Sequence, residues 1–333
     1  MLQKRLVNIV RRFSERKLLI VGDSIADKFL YGSISRVSRE APVFILRHEL
    51  TETVPGGAAN CALNLAALGA NVSLVSVAGN DEAGLALREK LATAGVNVDG
   101  LLLSDKIQTT TKVRILAGHA HANKQQVIRV DYEDAPLKDP ALREALNNSL
   151  RTSLAHADTV IISDYNYGVV DAEATELVRE THQTKRVPVL VDSRFRLSDF
   201  SGFTAATPNQ DEVEHLIGEP VDSTTKLESS ATRLKQELQY KALLVTRGGR
   251  GMMLLADDEI PLHIPAVGAE QAVDGTGAGD TVIATFALAL ASDSSFAEAA
   301  QLANYAGGIV VMKRGTASVS ATELEASIND LRT

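Results

Sequence analysis

The segment Asp-Gly-Thr-Gly-Ala-Gly-Asp, residues 274–280, runs directly into an apolar stretch at residues 281–290. Its glycines allow a tight turn in which successive backbone N–H groups are exposed. The apolar stretch predicts a buried helix, so these N–H groups lie at a helix N-terminus, where partial positive charge favours phosphate. A carboxylate beside a bound phosphate can take the proton of an attacking hydroxyl, so Asp280 is a candidate base for phosphoryl transfer. The alternative is a structural strand-to-helix turn that Asp280 merely caps.

Two segments of the N-terminal half carry groups suited to a sugar. Asp23 and Asp27 follow a predicted strand, where carboxylates could hydrogen-bond vicinal hydroxyls, although Asp in such a position also commonly caps a turn. The pair Gly56-Gly57 allows close backbone approach to a ligand, and Asn60 offers both a donor and an acceptor. A glycine pair before a helix is, by itself, an unspecific signal.

Two segments of the C-terminal half suit a nucleotide. Asn209 and Glu212 stand three apart at a predicted helix start, where an amide and a carboxylate could orient the water shell of Mg²⁺. The same pair matches a capping box, and the pattern favours neither reading over the other. Thr246 ends a predicted strand, and the turn after it contains Gly249 and Gly251. This turn lacks the spacing of a dinucleotide fingerprint but could form one wall of a nucleotide site.

Short apolar strands alternate with helical patterns, which predicts an α/β fold with a mostly parallel central sheet covered by helices. The predicted strands are 17–21, 72–77, 159–162, 187–191 and 243–246, and the predicted helices are 58–68, 83–94, 141–154, 172–182 and 211–217. Because no repeat, low-complexity tract or linker divides the sequence, we expect one domain over residues 1–333.

Two stretches, about 29–50 and 108–131, interrupt this alternation with β-branched, polar and basic residues. They predict a small antiparallel sheet built from two non-contiguous segments. As a flap or lid, this sheet could cover the C-terminal ends of the parallel strands, where open α/β sheets bind their ligands. Two independent surface hairpins are the alternative.

Composition narrows the classes of protein. The chain has 333 residues and a formal charge of −8, which argues against nucleic-acid binding but allows phosphate binding through backbone dipoles, a few cations and Mg²⁺. The single cysteine, Cys61, excludes an intramolecular disulfide, and we expect it to be a small buried hydrophobe. No stretch approaches the ~18 apolar residues that span a membrane. The first residues contain no apolar signal core, so we expect a cytoplasmic enzyme.

Together these segments resemble the ribokinase-like (PfkB) carbohydrate kinases over nearly the whole chain. Residues 274–280 match that family's C-terminal signature, residues 55–60 match its N-terminal signature, and Asn209-x-x-Glu212 lies between them in the same order. The resemblance implies a three-layer α/β/α sandwich with a β-sheet flap. It also implies ATP-dependent phosphorylation of a sugar and a homodimer formed through the flaps.

The resemblance assigns a role to each candidate residue. Sugar contacts would come from Asp23, Asp27, Gly56, Gly57, Asn60 and Arg194, and ATP contacts from Asn209, Thr246, Gly249 and Gly251. Asn209 and Glu212 would hold Mg²⁺ through water, and Asp274 and Thr276 would hold K⁺, with backbone near Gly315. Asp280 would deprotonate the sugar hydroxyl beside an anion hole formed by the N–H groups of Gly277, Ala278 and Gly279.

Within the family, the chain looks most like the kinases that act on D-glycero-β-D-manno-heptose 7-phosphate. The matching stretches are 21–23, 35–43, 111–114 and 125–131. The cations Lys112, Arg114, Arg129 and Arg194 are candidate contacts for an acceptor phosphate, or else solvated strand residues. In many bacteria this kinase is fused to a nucleotidyltransferase domain. Because the sequence ends at Thr333, adenylyl transfer is not expected.

Two departures from the heptose kinases bear on the sugar. Those kinases typically carry a lysine in the loop that is 163–168 here, and another in an Asp-Pro-Lys loop that is 192–194 here. Tyr167 cannot replace a cation, whereas Arg194, with Arg196 nearby, can do so with a different geometry. A kinase for another sugar, sugar phosphate or nucleoside therefore stays open, as does a non-catalytic sugar- or nucleotide-binding regulator.

Overall fold

Strands and helices alternate along the computed structural model, which describes residues 2–119, 124–133, 137–256, 260–268 and 273–330. The helices of these ranges are α1 Leu2–Arg11, α2 Ala58–Ala67, α3 Glu82–Thr93, α4 Pro140–Leu154, α5 Ala172–Lys185, α6 Gln210–Ile217, α7 Thr224–Glu237, α8 Ala278–Ala291, α9 Phe296–Val310 and α10 Ala321–Asn329. The strands are β1 Lys17–Gly22, β2 Ser24–Val37, β3 Phe44–Gly57, β4 Asn71–Gly79, β5 Asn97–Ser104, β6 Thr111–Gly118, β7 Gln125–Tyr132, β8 Thr159–Asp164, β9 Val189–Ser193, β10 Ala205–Ala206, β11 Ala242–Thr246, β12 Met252–Ala256 and β13 Leu262–Ile264. Each predicted strand and helix is confirmed, with small differences at the ends.

The central sheet has the order β13-β12-β11-β10-β9-β8-β1-β4-β5 among the described residues. All neighbours from β11 to β5 are parallel, and the β11–β12 and β12–β13 pairs are antiparallel. On β1, Leu18 and Ile20 pack into the core beside α2, α8 and α9, whereas Leu19 and Val21 pack into the core beside α4, α5 and α7. A strand buried on both faces needs a continuous apolar run. The predicted three-layer α/β/α sandwich is therefore confirmed.

The flap is a second sheet with the order β3-β2-β6-β7. The two predicted segments pair with each other, so independent hairpins were the wrong alternative; residues 120–123 of the second segment lie outside the described residues. The hairpins β2–β3 and β6–β7 are antiparallel as predicted. The join between them, β2 to β6, is parallel, so the prediction of an entirely antiparallel sheet was wrong.

Packing of two apolar helices brings the glycine-rich segments together. Residues 281–289 of α8 are buried on every side, as expected for a helix without a polar face. Helix α2 packs against α8 and starts directly after Gly57, and its residue Cys61 is fully buried, as predicted. None of the helices in the described ranges is both long enough and apolar enough to cross a membrane.

Candidate active site

A cavity of about 560 Å³ lies at the carboxyl ends of the parallel strands, beneath the flap. Its lining comes from the flap, from the strand ends and from the turn that opens α8. The flap contributes Ile25, Asp27, Gly57, Lys112, Arg114 and Arg129, and the turn contributes Asp274, Gly275, Thr276, Gly277, Gly279 and Asp280. The strand ends and the loops after them contribute Asp164, Tyr165, Asp192, Arg194, Thr207, Asn209, Glu212 and Thr246.

Asp280 lies on the first turn of α8 and is only 4% exposed. The Asn60 side chain donates from Nδ2 to its Oδ2 at 2.7 Å, and the Tyr165 hydroxyl donates to its Oδ1 at 3.0 Å. The pKa of Asp280 is raised to about 7. Burial is the main cause, the charge of Asp27 adds to the rise, and the two hydrogen-bond donors oppose it. A carboxylate that titrates near neutrality is well suited to accept a proton from a hydroxyl.

Tyr165 reaches the cavity because Asp23 holds its loop. The carboxylate of Asp23 accepts the backbone N–H groups of Tyr165 at 2.8 Å, Tyr167 at 3.1 Å and Val169 at 3.1 Å. Asp23 itself does not line the cavity, so the structure does not bring it together there with Asp27 and Gly57, the predicted sugar contacts that do. Sequence reasoning missed Tyr165, because a tyrosine just after a strand carries no chemical signature.

The turn before α8 exposes backbone N–H groups to the cavity. Gly277 has a φ of 77°, and a Cβ there would lie 2.6 Å from Asn60 Nδ2, so no other residue fits. Within the described residues the N–H groups of Gly277 and Gly279 have no hydrogen-bond acceptor, whereas that of Ala278 donates to Gly275 O at 3.2 Å. Two of the three predicted amides are thus available to an anion, and the third already closes a turn.

Asp274 ties this turn to a second loop. One of its carboxylate oxygens accepts from Thr276 N and the other from Gly315 N, each at 2.9 Å. Burial raises the pKa of Asp274, but these hydrogen bonds outweigh it and lower the pKa overall. The structure brings together the residues predicted to bind K⁺, but it gives Asp274 a structural task. Each oxygen of Asp274 accepts one N–H and keeps a further lone pair, so K⁺ binding by Asp274 and Thr276 stays a prediction.

On the flap side, Asp27 lines the cavity and forms an ion pair with Arg114. Burial raises the pKa of Asp27, and the neighbouring cations reduce this rise. Gly56 lies outside the cavity lining; a Cβ there would lie 2.5 Å from Asp27 Oδ2, so this glycine makes room for the carboxylate. Gly57 does line the cavity, and a Cβ on it would lie 2.6 Å from Asp23 O.

Four cations, Lys112, Arg114, Arg129 and Arg194, line the flap end of the cavity. Arg129 Nε donates to Asp131 Oδ1 at 2.9 Å, while Lys112 Nζ lies 4.0 Å from Asp131 Oδ2. Burial lowers the pKa of Lys112, and the nearby carboxylates partly restore it. Arg194 has no ion pair within the described ranges, whereas the neighbouring Arg196 is bound to buried Asp164.

Asn209 and Glu212 form the capping box at the start of α6. Asn209 Oδ1 accepts from Glu212 N at 2.8 Å, and Glu212 Oε2 accepts from Asn209 N at 2.9 Å. Both residues also line the cavity, beside Asp192 and Thr207. Burial raises the pKa of Asp192 well above its usual range, and the charge of Glu212 raises it further. The capping alternative is therefore confirmed without excluding a role at the cavity.

Of the other predicted ATP contacts, only Thr246 lies on the cavity. Gly249 belongs to an exposed turn outside the lining. Gly251, with a φ of 79°, has no room for a side chain, since a Cβ would lie 2.0 Å from Ile264 O. The structure thus explains Gly251 by its backbone and does not place it on the cavity.

Comparison with protein families gives a match to the pfkB family carbohydrate kinase model over residues 17–323. The chain is 42% identical over 320 residues to a bifunctional protein HldE of Nitrosococcus oceani, covering 95% of this chain and 65% of that protein. It is 40% identical over 318 residues to a bifunctional protein HldE of Ectopseudomonas mendocina, covering 95% of this chain and 64% of that protein. The chain thus spans just under two thirds of the length of these relatives.

Solved structures share the fold. Phosphofructokinase-2 from Escherichia coli in complex with substrates and products gives a TM-score of 0.76 at 20% identity, covering 96% of this chain and all (100%) of that one. Arabidopsis thaliana ribokinase complexed with ribose and ATP gives a TM-score of 0.72 at 21% identity, covering 94% and 98%. The chain thus has the ribokinase-like fold. The chain belongs to the pfkB family, and it is an ATP-dependent carbohydrate kinase.

Proposed function

We propose that the chain transfers the γ-phosphoryl group of ATP to a hydroxyl of D-glycero-β-D-manno-heptose 7-phosphate, giving the 1,7-bisphosphate. The observation that carries this proposal is a cavity lined both by a buried carboxylate, Asp280, and by four cations, of which three come from the flap and Arg194 from the loop after β9. The carboxylate suits any alcohol acceptor, whereas the cations suit an acceptor that already bears a phosphate. The similarity to the HldE proteins supports the choice of sugar.

In the proposed reaction, the sugar hydroxyl gives its proton to Asp280 while its oxygen attacks the γ-phosphorus of ATP. The bond from that phosphorus to the bridging oxygen of ADP breaks, and ADP leaves. Asn60 and Tyr165 keep the carboxylate oriented and favour its ionised form. The N–H groups of Gly277 and Gly279, with the dipole of α8, stabilise charge on the transferred phosphoryl group.

The four cations differ in how many of their N–H groups are available to bind the phosphate of the acceptor sugar. Arg114 and Arg129 already bind Asp27 and Asp131. Arg194 is exposed and forms no ion pair within the described ranges; its guanidinium lies over the Phe195 ring, 5.5 Å from the centroid, which leaves its N–H groups available for an anion. A guanidinium can bind two phosphate oxygens at once. We therefore assign the main contact with the acceptor phosphate to Arg194, with Lys112 beside it.

The residues around α6 fit the Mg²⁺ that accompanies ATP in kinases. Burial raises the pKa of Asp192 and of Glu212, and the charge of Glu212 adds to the rise for Asp192. A divalent cation between them would relieve the cost of burying these charges. Thr207 adds a buried hydroxyl that has no partner among the described residues. Hard oxygen ligands and retained water are what Mg²⁺ prefers, so Asn209 and Glu212 would hold it through water. When bound, Mg²⁺ neutralises charge on the ATP phosphates.

A homodimer through the flap is also proposed, because the two faces of the flap sheet differ. The strand register places Asp27, Lys112, Arg114 and Arg129 on the cavity face. The opposite face carries Leu30, Val113, Ile115, Ile128 and Val130. Ile128 is 53% exposed and Val130 is 39% exposed. An exposed apolar face of this kind marks an interaction site, and a second flap offers the matching surface.

The acceptor is tested by ATP consumption with a panel that contains heptose 7-phosphate, unphosphorylated heptose, fructose phosphates, ribose and adenosine. We expect the highest kcat/KM with heptose 7-phosphate. Arg194→Ala should raise the KM of that acceptor by about 10- to 150-fold, since a charged hydrogen bond contributes ~1.5–3 kcal/mol, while the KM of ATP changes little. Higher kcat/KM with ribose or adenosine, or an unchanged acceptor KM in the variant, would reject the proposal.

A further inference from the structure

Behind the candidate base lies a chain of buried polar side chains. The Thr281 hydroxyl donates to Asn64 Oδ1 at 2.9 Å, and Asn64 Nδ2 donates to Asn60 Oδ1 at 3.2 Å. Asn60 Nδ2 then donates to Asp280 Oδ2 at 2.7 Å. Asn60 is 1% exposed, and Asn64 and Thr281 are 0% exposed. Asn64 and Thr281 lie outside the cavity lining, as does Asn60, although the sequence predicted a sugar contact for Asn60.

Each hydrogen bond in this series of side chains restricts the orientation of the next side-chain amide. The two ends of an asparagine amide have nearly the same shape but opposite hydrogen-bonding character. The Thr281 hydroxyl donates to Asn64 Oδ1 at 2.9 Å in preference to Gly277 O at 3.3 Å, so the Asn64 oxygen faces Thr281 and the Asn64 amino group faces Asn60. Gly277 O, 3.4 Å from Asn60 Nδ2, is a second acceptor that favours the same orientation of Asn60. That amino group donates to both the side-chain oxygen and the backbone oxygen of Asn60. The Asn60 amino group is consequently the end that faces the carboxylate.

The opposite orientation of Asn60 would be unfavourable for catalysis. Its amide oxygen would then face an oxygen of Asp280, and a buried acceptor pair without a proton between them is costly. The ionised carboxylate would lose one of its two side-chain donors and keep only the Tyr165 hydroxyl. In water the cost of such a flip would be small, but the burial of all these groups increases it.

We infer that Asn64 and Thr281 are positioning residues, which fix the amide of Asn60 so that it donates to the catalytic carboxylate. The inference rests on the proposed role of Asp280 as the base, and it extends the site to two residues that lie outside the cavity lining. Asn64 lies on α2 and Thr281 lies on α8, so both act on the orientation and ionisation of Asp280 from the packed interface between these two helices.

The test removes the first link of the chain with Thr281→Val, which deletes the hydroxyl and keeps the shape of the side chain. The pKa of the Asp280 carboxyl is followed by ¹³C NMR of labelled aspartate in the protein without substrate, with Asp280→Asn to identify the signal. We expect the pKa of Asp280 to rise by about half a unit to one unit, as for the loss of one hydrogen bond. With substrates, kcat should fall about three- to tenfold below pH 7, while both KM values stay within about twofold.

Two further variants separate positioning from packing. Thr281→Ser restores the hydroxyl and should restore both the pKa and kcat. Thr285→Val is the matched control, because Thr285 is 0% exposed on the same helix and its hydroxyl donates only to Thr281 O, at 2.8 Å. It should lower stability without moving the pKa of Asp280. If Thr281→Val does not fold, Asn64→Leu replaces it with the same expected result.

The inference is wrong if the pKa of Asp280 in Thr281→Val equals that of the wild type, or if Thr285→Val moves it as far. Failure of the proposed function gives a different result. In that case no sugar of the panel is phosphorylated by the wild type, while the NMR titration of Asp280 still responds to Thr281→Val and recovers in Thr281→Ser.

Discussion

At the scale of single residues, the chemistry of Asp280 follows from competition between its burial and its two hydrogen-bond donors. Burial alone would keep the carboxyl protonated at neutral pH, and donors alone would make it too weak a base. Asn60 and Tyr165 offset part of the effect of burial, so that the pKa comes to about 7. A base with this pKa is ionised at physiological pH and still binds a proton strongly enough to remove it from an alcohol.

The pH dependence of activity should report this carboxylate. Because Asp280 acts in its ionised form, kcat/KM should fall tenfold per unit as pH decreases below about 7. Asp280→Asn should lower kcat by at least ~100-fold, the usual contribution of a general base, and leave ATP affinity within a few-fold. Initial rates from pH 5 to 9 and ATP binding by calorimetry measure both. Turnover of the variant near the wild-type rate would show that another group is the base.

Asp280→Asn should also change how the free energy of unfolding depends on pH. Most carboxylates stabilise a folded protein as pH rises, whereas Asp280, with its raised pKa, does the opposite. The folded protein keeps the proton of Asp280 up to about pH 7, whereas the unfolded chain releases it near the model value of 3.8. Stability from this group is therefore lost as pH rises between these values. Relative to the wild type, Asp280→Asn should gain up to about 3 kcal/mol between pH 5 and pH 8, as measured by chemical denaturation. A pH-independent difference would contradict a raised pKa.

At the scale of elements, a helix or strand can be predicted when its own residues show a periodic apolar pattern. Features that depend on pairing between segments far apart in the sequence cannot. The apolar run of α8 and the alternating strands and helices have local patterns, so both were predictable. The parallel join of β2 to β6 was not, because strand direction across a join of separate segments is set by tertiary packing. Loop 165–169 was hidden for a similar reason: Asp23 organises it through backbone N–H groups, which every residue possesses.

At the start of α6, Glu212 closes the capping box and is also proposed to hold Mg²⁺ through water. A substitution can separate these two roles. Glu212→Gln keeps an oxygen for the N–H of Asn209, so the capping box and stability should be preserved. It removes the charge that faces Asp192, so the Mg²⁺ concentration for half-maximal activity should rise severalfold. Asp211→Asn, on the same turn but outside the cavity lining, is the control. An unchanged Mg²⁺ titration would leave Glu212 with the capping role alone.

At the scale of the whole molecule, the flap has a charged face toward the cavity and an apolar outer face, which we propose to be the dimer interface. Ile128→Lys together with Val130→Lys puts charge on the outer apolar face and should convert a dimer into a monomer in sedimentation experiments. Leu2→Lys is the matched control, since Leu2 is 51% exposed on α1, which packs against α10. A wild type that sediments as a monomer at micromolar concentration would contradict the proposed homodimer.

Because Cys61 is buried, its reaction with a thiol reagent reports local opening of the protein around α2. The chain contains one thiol, and it is sealed inside α2 next to Asn60, where burial raises its pKa well above the usual range. An alkylating reagent can modify it only after α2 has separated from its neighbours. The labelling rate therefore measures how often the two helices that carry the catalytic groups come apart, and a tightly bound substrate should slow it.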